Sequence, residues 1–437
     1  MKTVKSTNPK STPKPRSRTT VVAAAAAALP VLFGGVGGQP ATAAEAGAGT
    51  RAGTVHIVQV HGVGATKDEV TKVAREMTAQ HGGELRRVYH SAMQGFSVTL
   101  TDEQVTRYYK DTRVDSVTGA RVYRVAGRPS AAGAAGSEGA RAGGIQFGKV
   151  PWGLDRIDQR DLPLDQTYRF PNTASNVRTY VVDTGVRTGH QEFGGRARGA
   201  YDAITQTVGG GGTDCNGHGT ASASVVAGRT TGVAKAARVE SVRAFGCDGT
   251  GTLEHLVSAV DWITANAVRP AVVNLGFSGP AGSVLDLQLY EMTHQGIAYT
   301  AAAGNGDADG NGVESCETTP ARQTTAITVA ATDPGDNRPA WSNYGYCVHL
   351  FAPGTDIPSA SAAGTYAYGK LTGTSAATAE VTGAAAMYLS AHPSATPEQV
   401  DKALADAATV DHVKNPGADS KNLLLHTGSG AAARGAR

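Results

Sequence analysis

From Pro151 onward the chain alternates unbroken apolar runs with stretches of helical period. The runs are Tyr180–Val182, Val239–Phe245, Ala271–Leu275, Ile297–Ala303 and Ala326–Ala331. Strands buried on both faces read this way, because neither face has to meet water. Between them, Leu253–Ala265, Val284–His294, Thr374–Leu389 and Pro397–Leu404 carry helical patterns. Alternating strands and helices predict a doubly wound parallel α/β sheet over residues 151–426. Residues 427–437 read as a flexible tail, with no further domain expected after Leu425.

The region before it has a different texture. Residues 44–53 are rich in Ala and Gly and predict no element. Thr54–Val60 alternates apolar and polar residues, as a strand with one buried face does. Thr66-Lys67-Asp68-Glu69 forms a capping box that opens a helix with Val70, Val73, Ala74 and Met77 on one side. Leu85–Tyr89 and Gly95–Leu100 predict two more strands. Thr101-Asp102-Glu103-Gln104 is a second capping box, and Arg121–Val125 is the expected last strand. The order β-α-β-β-α-β predicts a small ferredoxin-like α+β domain within 44–126. Residues 127–150, mostly Gly, Ala and Ser, then read as a flexible, cleavable linker.

Charge and cysteine add the compartment. Lys2, Lys5, Lys10, Lys14, Arg16 and Arg18 crowd the start without an acid, although the net charge of all 437 residues is only +3. The remainder is therefore mildly acidic and gives no reason to expect a nucleic acid partner. The basic start leads into the apolar stretch Val21–Phe33 and then Ala41-Thr42-Ala43, the pattern of a secretory signal peptide over 1–43. That stretch falls short of the ~20 residues needed to cross a bilayer. A secreted, extracellular monomer without membrane attachment is expected. In an exported chain the four cysteines Cys215, Cys247, Cys316 and Cys347 predict disulfides, in any of three pairings. Sequential pairing would close two loops of similar length, each contributing about 3–4 kcal/mol on the chain-entropy account.

Three islands carry candidate chemistry: Val181-Val182-Asp183-Thr184-Gly185, Asn216-Gly217-His218-Gly219-Thr220 and Gly373-Thr374-Ser375-Ala376. Asp183 ends an apolar strand, where open α/β sheets place their sites. Its carboxyl can hold the Nδ1–H of a histidine. His218, between two glycines at a helix start, can take a hydroxyl proton and return it. Ser375 opens a small-residue helix, whose free N–H groups and dipole suit a developing oxyanion. Asn305, after Gly304, offers a second donor. Taken singly, each has an ordinary alternative as a turn or capping residue. The combination in this chain order is what points to a serine nucleophile. Gly249-Thr250-Gly251 and Gly276-Phe277-Ser278, with Gly304, are candidate edges for an extended peptide.

These islands resemble the subtilisin-like serine proteases, in the proteinase K branch with its aqualysin-type members. Pro151-Trp152-Gly153-Leu154-Asp155-Arg156-Ile157-Asp158-Gln159-Arg160-Asp161-Leu162-Pro163-Leu164 looks like the start of such an enzyme. Asp214-Cys215-Asn216-Gly217-His218-Gly219-Thr220 and Ser342-Asn343-Tyr344-Gly345 match too. Val88-Tyr89-His90-Ser91-Ala92 and Gly95-Phe96 resemble the inhibitor-type propeptide of these zymogens. The resemblance implies a subtilisin-like sheet, the triad Asp183, His218 and Ser375, and an oxyanion hole of Asn305 and the Ser375 amide. It further implies bridges Cys215–Cys247 and Cys316–Cys347, protein substrates with broad specificity, and a propeptide that templates folding, inhibits in cis and is cut off by its own enzyme. Asp155, Asp158, Gln159, Asp165 and Thr167 match a calcium site of relatives, so structural Ca²⁺ is a possible cofactor by this resemblance. At a second family calcium site His349 stands in place of an acid.

The chain also departs from the family. Ala221, Ser224, Gly276, Ser278, Ala376, Ala379 and Glu380 replace usual residues. Glu380 is expected to bring a charge near Ser375 that opposes an oxyanion. This motivates a competing expectation, a catalytically weakened protease fold that binds peptides. A lipase or esterase is disfavoured, since the chain order is wrong and no G-x-S-x-G elbow is present.

Overall fold

The apolar runs become the middle of a sheet. The computed structural model describes residues 53–131, 144–210 and 212–428. The expected signal peptide, the middle of the expected linker and most of the expected tail lie outside the described residues. Among these residues a ten-stranded sheet runs in the spatial order Thr207–Val208, Ala197–Asp202, Arg238–Arg243, Arg178–Asp183, Ala271–Leu275, Ala298–Ala302, Ile327–Thr332, Leu350–Pro353, Leu423–Leu424, Thr409–Val410. Ala197–Asp202 through Leu423–Leu424 pair in parallel, and only the two short edge strands are antiparallel.

Both faces are covered, as a parallel sheet requires. On one face Val181, Val239, Val272 and Val329 pack with Val226 of the helix His218–Ala227 and with Ala385 of the helix Thr374–Ala391. On the other, Val182, Val242, Val273 and Tyr299 pack with the helices Leu253–Asn266 and Ser283–His294 through Leu256, Ile263, Leu285 and Met292. The sequence order of the strands reverses between Arg178–Asp183 and Ala271–Leu275. In open α/β sheets a crevice opens at that point, beyond the carboxyl ends of the strands.

The N-terminal domain is ferredoxin-like, with antiparallel strand order Glu84–Tyr89, Gly95–Leu100, Thr54–Val60, Val114–Gly119. Its helices Lys67–His81 and Asp102–Tyr109 both begin at the expected capping boxes. One assignment is corrected. The last strand of this sheet is Val114–Gly119, and the expected last strand, Arg121–Val125, is not part of it. Val122–Val125 leaves the domain and lies between Thr250–Thr252 and Phe277–Pro280, antiparallel to both. The linker also differs at its ends from a flexible coil. Arg128–Ala131 pairs with Tyr368–Thr372, and Ile145–Phe147 with Thr167–Arg169.

The helix Leu253–Asn266 docks the N-terminal domain with two acids. The carboxyl of Asp261 accepts the backbone N–H groups of His90, Ser91 and Ala92 at 3.2, 2.8 and 2.9 Å. Glu254 accepts from Arg86 Nε at 2.8 Å and Ser97 Oγ at 2.7 Å. Two disulfides form, Cys215–Cys247 and Cys316–Cys347, across separations of 32 and 31 residues.

Asp261→Ala strands three N–H donors at this seam, that of Ala92 buried and those of His90 and Ser91 partly so; a buried donor left without an acceptor costs about 1–3 kcal/mol. In a full chain carrying Ser375→Ala, the N-terminal domain is expected to come loose at lower urea than the rest. Hydrogen exchange at residues 88–92 reads this directly.

Candidate active site

Asp183 is the last residue of its strand and is fully buried. His218 is the first residue of its helix, reached through Gly217 in the left-handed region at φ 99°. No capping side chain holds that helix start. A buried acid does so instead: Asp214 Oδ1 accepts from the N–H of Gly217 at 2.8 Å and from Thr184 Oγ1 at 2.9 Å. Its Oδ2 accepts from the N–H and hydroxyl of Thr220 at 2.8 and 2.7 Å. One carboxyl thus ties the histidine helix to the turn after Asp183.

The result is a continuous chain of hydrogen bonds. His218 Nδ1–H donates to Asp183 Oδ1 and Oδ2 at 2.8 and 2.9 Å, and His218 Nε2 stands 2.9 Å from Ser375 Oγ. A carboxyl oxygen facing Nδ1 fixes the tautomer that leaves Nε2 free to accept the hydroxyl proton. All three residues are buried.

Ser375 is the second residue of the helix Thr374–Ala391. Its N–H, one of the helix's unpaired first donors, donates to the carbonyl of Ala126 at 3.0 Å. Asn305 is clamped from the other side: its Oδ1 accepts from Thr374 N–H at 2.9 Å and Oγ1 at 2.8 Å. That turns Nδ2 toward the same place. A side chain on Gly373 would collide with the Ala126 carbonyl oxygen and stand 2.9 Å from Asn305 Nδ2. Only glycine leaves this space open, and its φ of 147° suits it to the position.

All the expected substrate-edge residues line one cleft. Val125 N–H donates to Gly249 O at 3.1 Å and Ala126 N–H to Gly276 O at 2.8 Å. Arg124 stands opposite Thr250 and Ser278, Tyr123 opposite Gly251, and Val125 opposite Phe277. The Tyr123 ring is wholly buried, edge-on to Phe277 at 6.2 Å. A cavity of about 420 Å³ beside Ala126 is lined by Ser278, Gly279, Gly304, Asn305 and Asn343. The next residue, Gly127, lies on Ser375 and His218: a Cβ there would collide with Ser375 Oγ and stand 2.9 Å from His218 Nε2.

Glu380 does not do what the sequence suggested. It is buried against Gly153 and Pro353, and its Oε2 has no hydrogen-bond partner. Burial alone pushes its carboxyl well above the usual carboxylate range. Burial thus disfavours the charged form of this carboxyl, and its side chain packs on the Gly153 side of the helix.

The five calcium candidates are neighbours, but their oxygens are turned to other donors. Asp155 accepts the N–H groups of Asp165 and Gln166 at 3.2 and 2.8 Å, and Gln159 Oε1 that of Asp165 at 3.3 Å. Asp158 Oδ2 accepts that of Arg169 at 2.6 Å. Asp165 accepts from Thr167 and from Arg169 Nη1, the latter at 2.9 Å. No three acidic, His or Cys side chains among the described residues are arranged to hold a metal ion. One orphan remains: Asp158 Oδ1 is buried without a partner, and desolvation raises that carboxyl to about 6. The donor chemistry suits a hard cation, and Arg169 supplies the positive charge.

Sequence reasoning quoted Asp214 and Thr374 within its motifs without giving either a role, and it missed Ser222, whose hydroxyl lies 3.5 Å from His218 Nδ1. Asp214 and Thr374 both lie inside the quoted motifs, so asking which acceptor satisfies each buried donor there could have assigned their roles.

A hydroxyl that one proton transfer turns into a nucleophile, facing a carbonyl held on an oxyanion donor, is the working arrangement of a serine peptidase. Here a chain segment of its own lies across it like a bound peptide. The chain belongs to the subtilase family: the Peptidase_S8 (Subtilase family) profile matches residues 175–430, and the Peptidase inhibitor I9 profile matches 55–126. It is 43% identical over 346 residues to the extracellular serine proteinase of Thermus sp. (strain Rt41A), covering 79% of this chain and 78% of that one. It is 36% identical over 351 residues to the alkaline serine exoprotease A of Vibrio alginolyticus, covering 80% and 62%. A crystal structure of a cold adapted subtilisin-like serine proteinase superposes with a TM-score of 0.61 at 39% identity, covering 64% of this chain and 99% of that one. The protein is a subtilisin-like serine endopeptidase made as a zymogen. The reading as a weakened binding module is not favoured.

The buried Glu380 sets a pH dependence. Its folded-state value lies above its unfolded one, so the folded state keeps a proton that the unfolded chain releases. Its contribution is greatest below the ordinary carboxylate range and falls as pH rises toward the folded value. Glu380→Gln, measured by denaturation in the Ser375→Ala chain, is expected to stabilise the fold at neutral pH and to flatten that decline.

Proposed function

We propose that Ser375 is the nucleophile, His218 the general base and acid, and Asp183 the group that orients and balances the imidazole. As Ser375 Oγ attacks a peptide carbonyl, its proton passes to His218 Nε2. Negative charge develops on the carbonyl oxygen between the Ser375 N–H and Asn305 Nδ2. Collapse breaks the C–N bond, and the leaving amine takes the proton from His218. Water then hydrolyses the acyl-enzyme by the same route. The observation that carries this reading is the Ala126 carbonyl on the Ser375 N–H, with the Ser375–His218–Asp183 hydrogen bonds behind it.

Substrates bind as the middle strand between Gly249–Thr252 and Gly276–Pro280. The cavity that Ala126 leaves unfilled supports a preference for larger apolar or aromatic residues before the cleaved bond. The register supports Ala126–Gly127 as the first bond cut, which makes 44–126 the propeptide and Gly127 the new N-terminus. Export is supported by the basic and apolar start and by the relative named an extracellular proteinase.

Protein recovered from culture is expected to begin Gly127-Arg128-Pro129, while Ser375→Ala stays at full propeptide length. N-terminal sequencing of both decides it, and a start elsewhere refutes the assigned bond. Asn305→Ala is expected to lower kcat by about 10²–10³, the magnitude measured for such a donor in subtilisin itself.

Calcium is proposed as a structural ligand of Asp155, Asp158, Gln159, Asp165 and Thr167, supported by the orphaned Asp158 oxygen; it stiffens the segment and takes no part in the reaction. Calorimetry is expected to show a calcium-dependent rise in Tm that Asp158→Asn removes. The same Tm with calcium and with EDTA would leave Arg169 as the resident cation.

A further inference from the structure

Three asparagines of this chain are followed directly by glycine: Asn216, Asn305 and Asn311. That pair is the one most open to spontaneous cyclisation, because no side chain shields the backbone nitrogen that follows the asparagine. In a folded protein a hydrogen bond from that nitrogen holds it away from the asparagine side chain. Each of the three glycines here has such an acceptor. Gly217 N–H donates to the buried Asp214 at 2.8 Å, and Gly312 N–H to Ala340 O at 2.7 Å. Gly306 N–H donates to Asn343 Oδ1 at 2.9 Å.

The step after Asn305 stands apart by its place in the fold. Gly306 opens a loop in which residues 307–311 are all exposed. Exposed segments with few packed contacts are the ones that open locally. Asn343, itself buried, closes the base of this loop. Its Oδ1 also accepts the N–H of Val313 at 3.0 Å, and its Nδ2 donates to Ala303 O at 2.8 Å. Glycine is required at 306 by the backbone, which lies in the left-handed region at φ 84°. A Cβ there would also stand 2.6 Å from Asn311 O. The turn therefore places, directly after the proposed oxyanion donor, the residue that makes an asparagine least durable.

We propose that Asn305–Gly306 is a modification site at which the enzyme inactivates itself with age, and that Asn343 sets the pace. The inference rests on the reading of Asn305 as an oxyanion donor. When the loop opens, the Gly306 nitrogen loses its proton to water and attacks Asn305 Cγ. A new N–Cγ bond closes a succinimide ring, the Cγ–Nδ2 bond breaks, and the leaving group takes up a proton and departs as ammonia. Water then opens the ring at either carbonyl, giving aspartate or isoaspartate. Both products put a carboxylate where Nδ2 donated, and isoaspartate also lengthens the backbone.

The processed enzyme is aged at neutral pH, and the surviving full-length molecules are assayed and mapped by peptide mass spectrometry. Activity per intact molecule is expected to fall in step with conversion at 305, with isoaspartate among the products. In Asn343→Ala both are expected to run about tenfold faster, the effect of one lost net hydrogen bond on how often the loop opens. The wild type tests the site without any variant: activity that decays while Asn305 stays intact overturns the proposal. Conversion at 305 that is no faster in folded Asn343→Ala overturns the role given to Asn343. Conversion at 305 with full activity overturns the donor reading of Asn305, and the inactivation with it.

Discussion

The N–H of Ser375 has one acceptor in this structure, the carbonyl of Ala126, and most of the architecture serves that contact. To bring the oxygen there, a strand must lie between two edges in fixed register, with Gly249 and Gly276 accepting from the two residues before the bond. Holding the donor requires the helix that Ser375 opens to be immobile. Its residues Thr374–Met387 are buried throughout, and most are small. A helix hydrophobic on every side belongs inside a protein. Small side chains let it lie close to the strands, with Gly383 pressed against Val233 and Thr382 bonded to Thr300 at 2.6 Å and to Asn274 at 2.9 Å.

The polar groups around the site follow one logic. Each group proposed to meet the reacting atoms is held by a neighbour that meets none of them. Asp214 fixes the histidine helix, Thr374 turns Asn305, and Asn343 holds the strand end by donating to Ala303 O at 2.8 Å. Donors fixed in advance, where water is excluded, stabilise developing charge without reorganising as the reaction proceeds. Leaving one of them half-satisfied would cost more than omitting it. Glu380 departs from this logic, as a buried acid with an orphaned oxygen. Its burial favours the protonated form.

What the sequence made legible was local. Each catalytic island needs its own backbone, a strand end, a glycine-flanked helix start and a small-residue helix, so each leaves a signature a few residues long. The central strands were legible because burial on both faces forbids polar interruptions. What failed was non-local. Alternation in Val122–Val125 says strand but not which sheet, and the mixed polar run Val-Asp-Ser-Val-Thr-Gly at 114–119 does not announce one. Glu380 was misplaced for a simpler reason. Five residues along a helix with 3.6 per turn face largely away from the start, so an acid five positions after Ser375 points away from the oxyanion. The first end of the linker is ordered by a partner strand more than two hundred residues away, which its composition cannot reveal, while Ile145–Phe147 pairs with the nearby Thr167–Arg169.

On the proposal that Ala126–Gly127 is the bond attacked, the segment is at once first substrate and inhibitor, and the residues of Val122–Gly127 divide the conflicting demands. Tyr123, fully buried against Phe277, contributes apolar area well away from the reacting atoms, even though its hydroxyl finds no partner. Binding of that kind is felt equally before and during the reaction, so it tightens the complex without speeding the cut. Ala126, next to the bond, leaves its cavity largely empty and adds little to either. Gly127 removes the side chain that would press on Ser375 and His218. Strong holding far from that bond, and weak engagement beside it, would keep the domain in the cleft and still leave the bond open to attack.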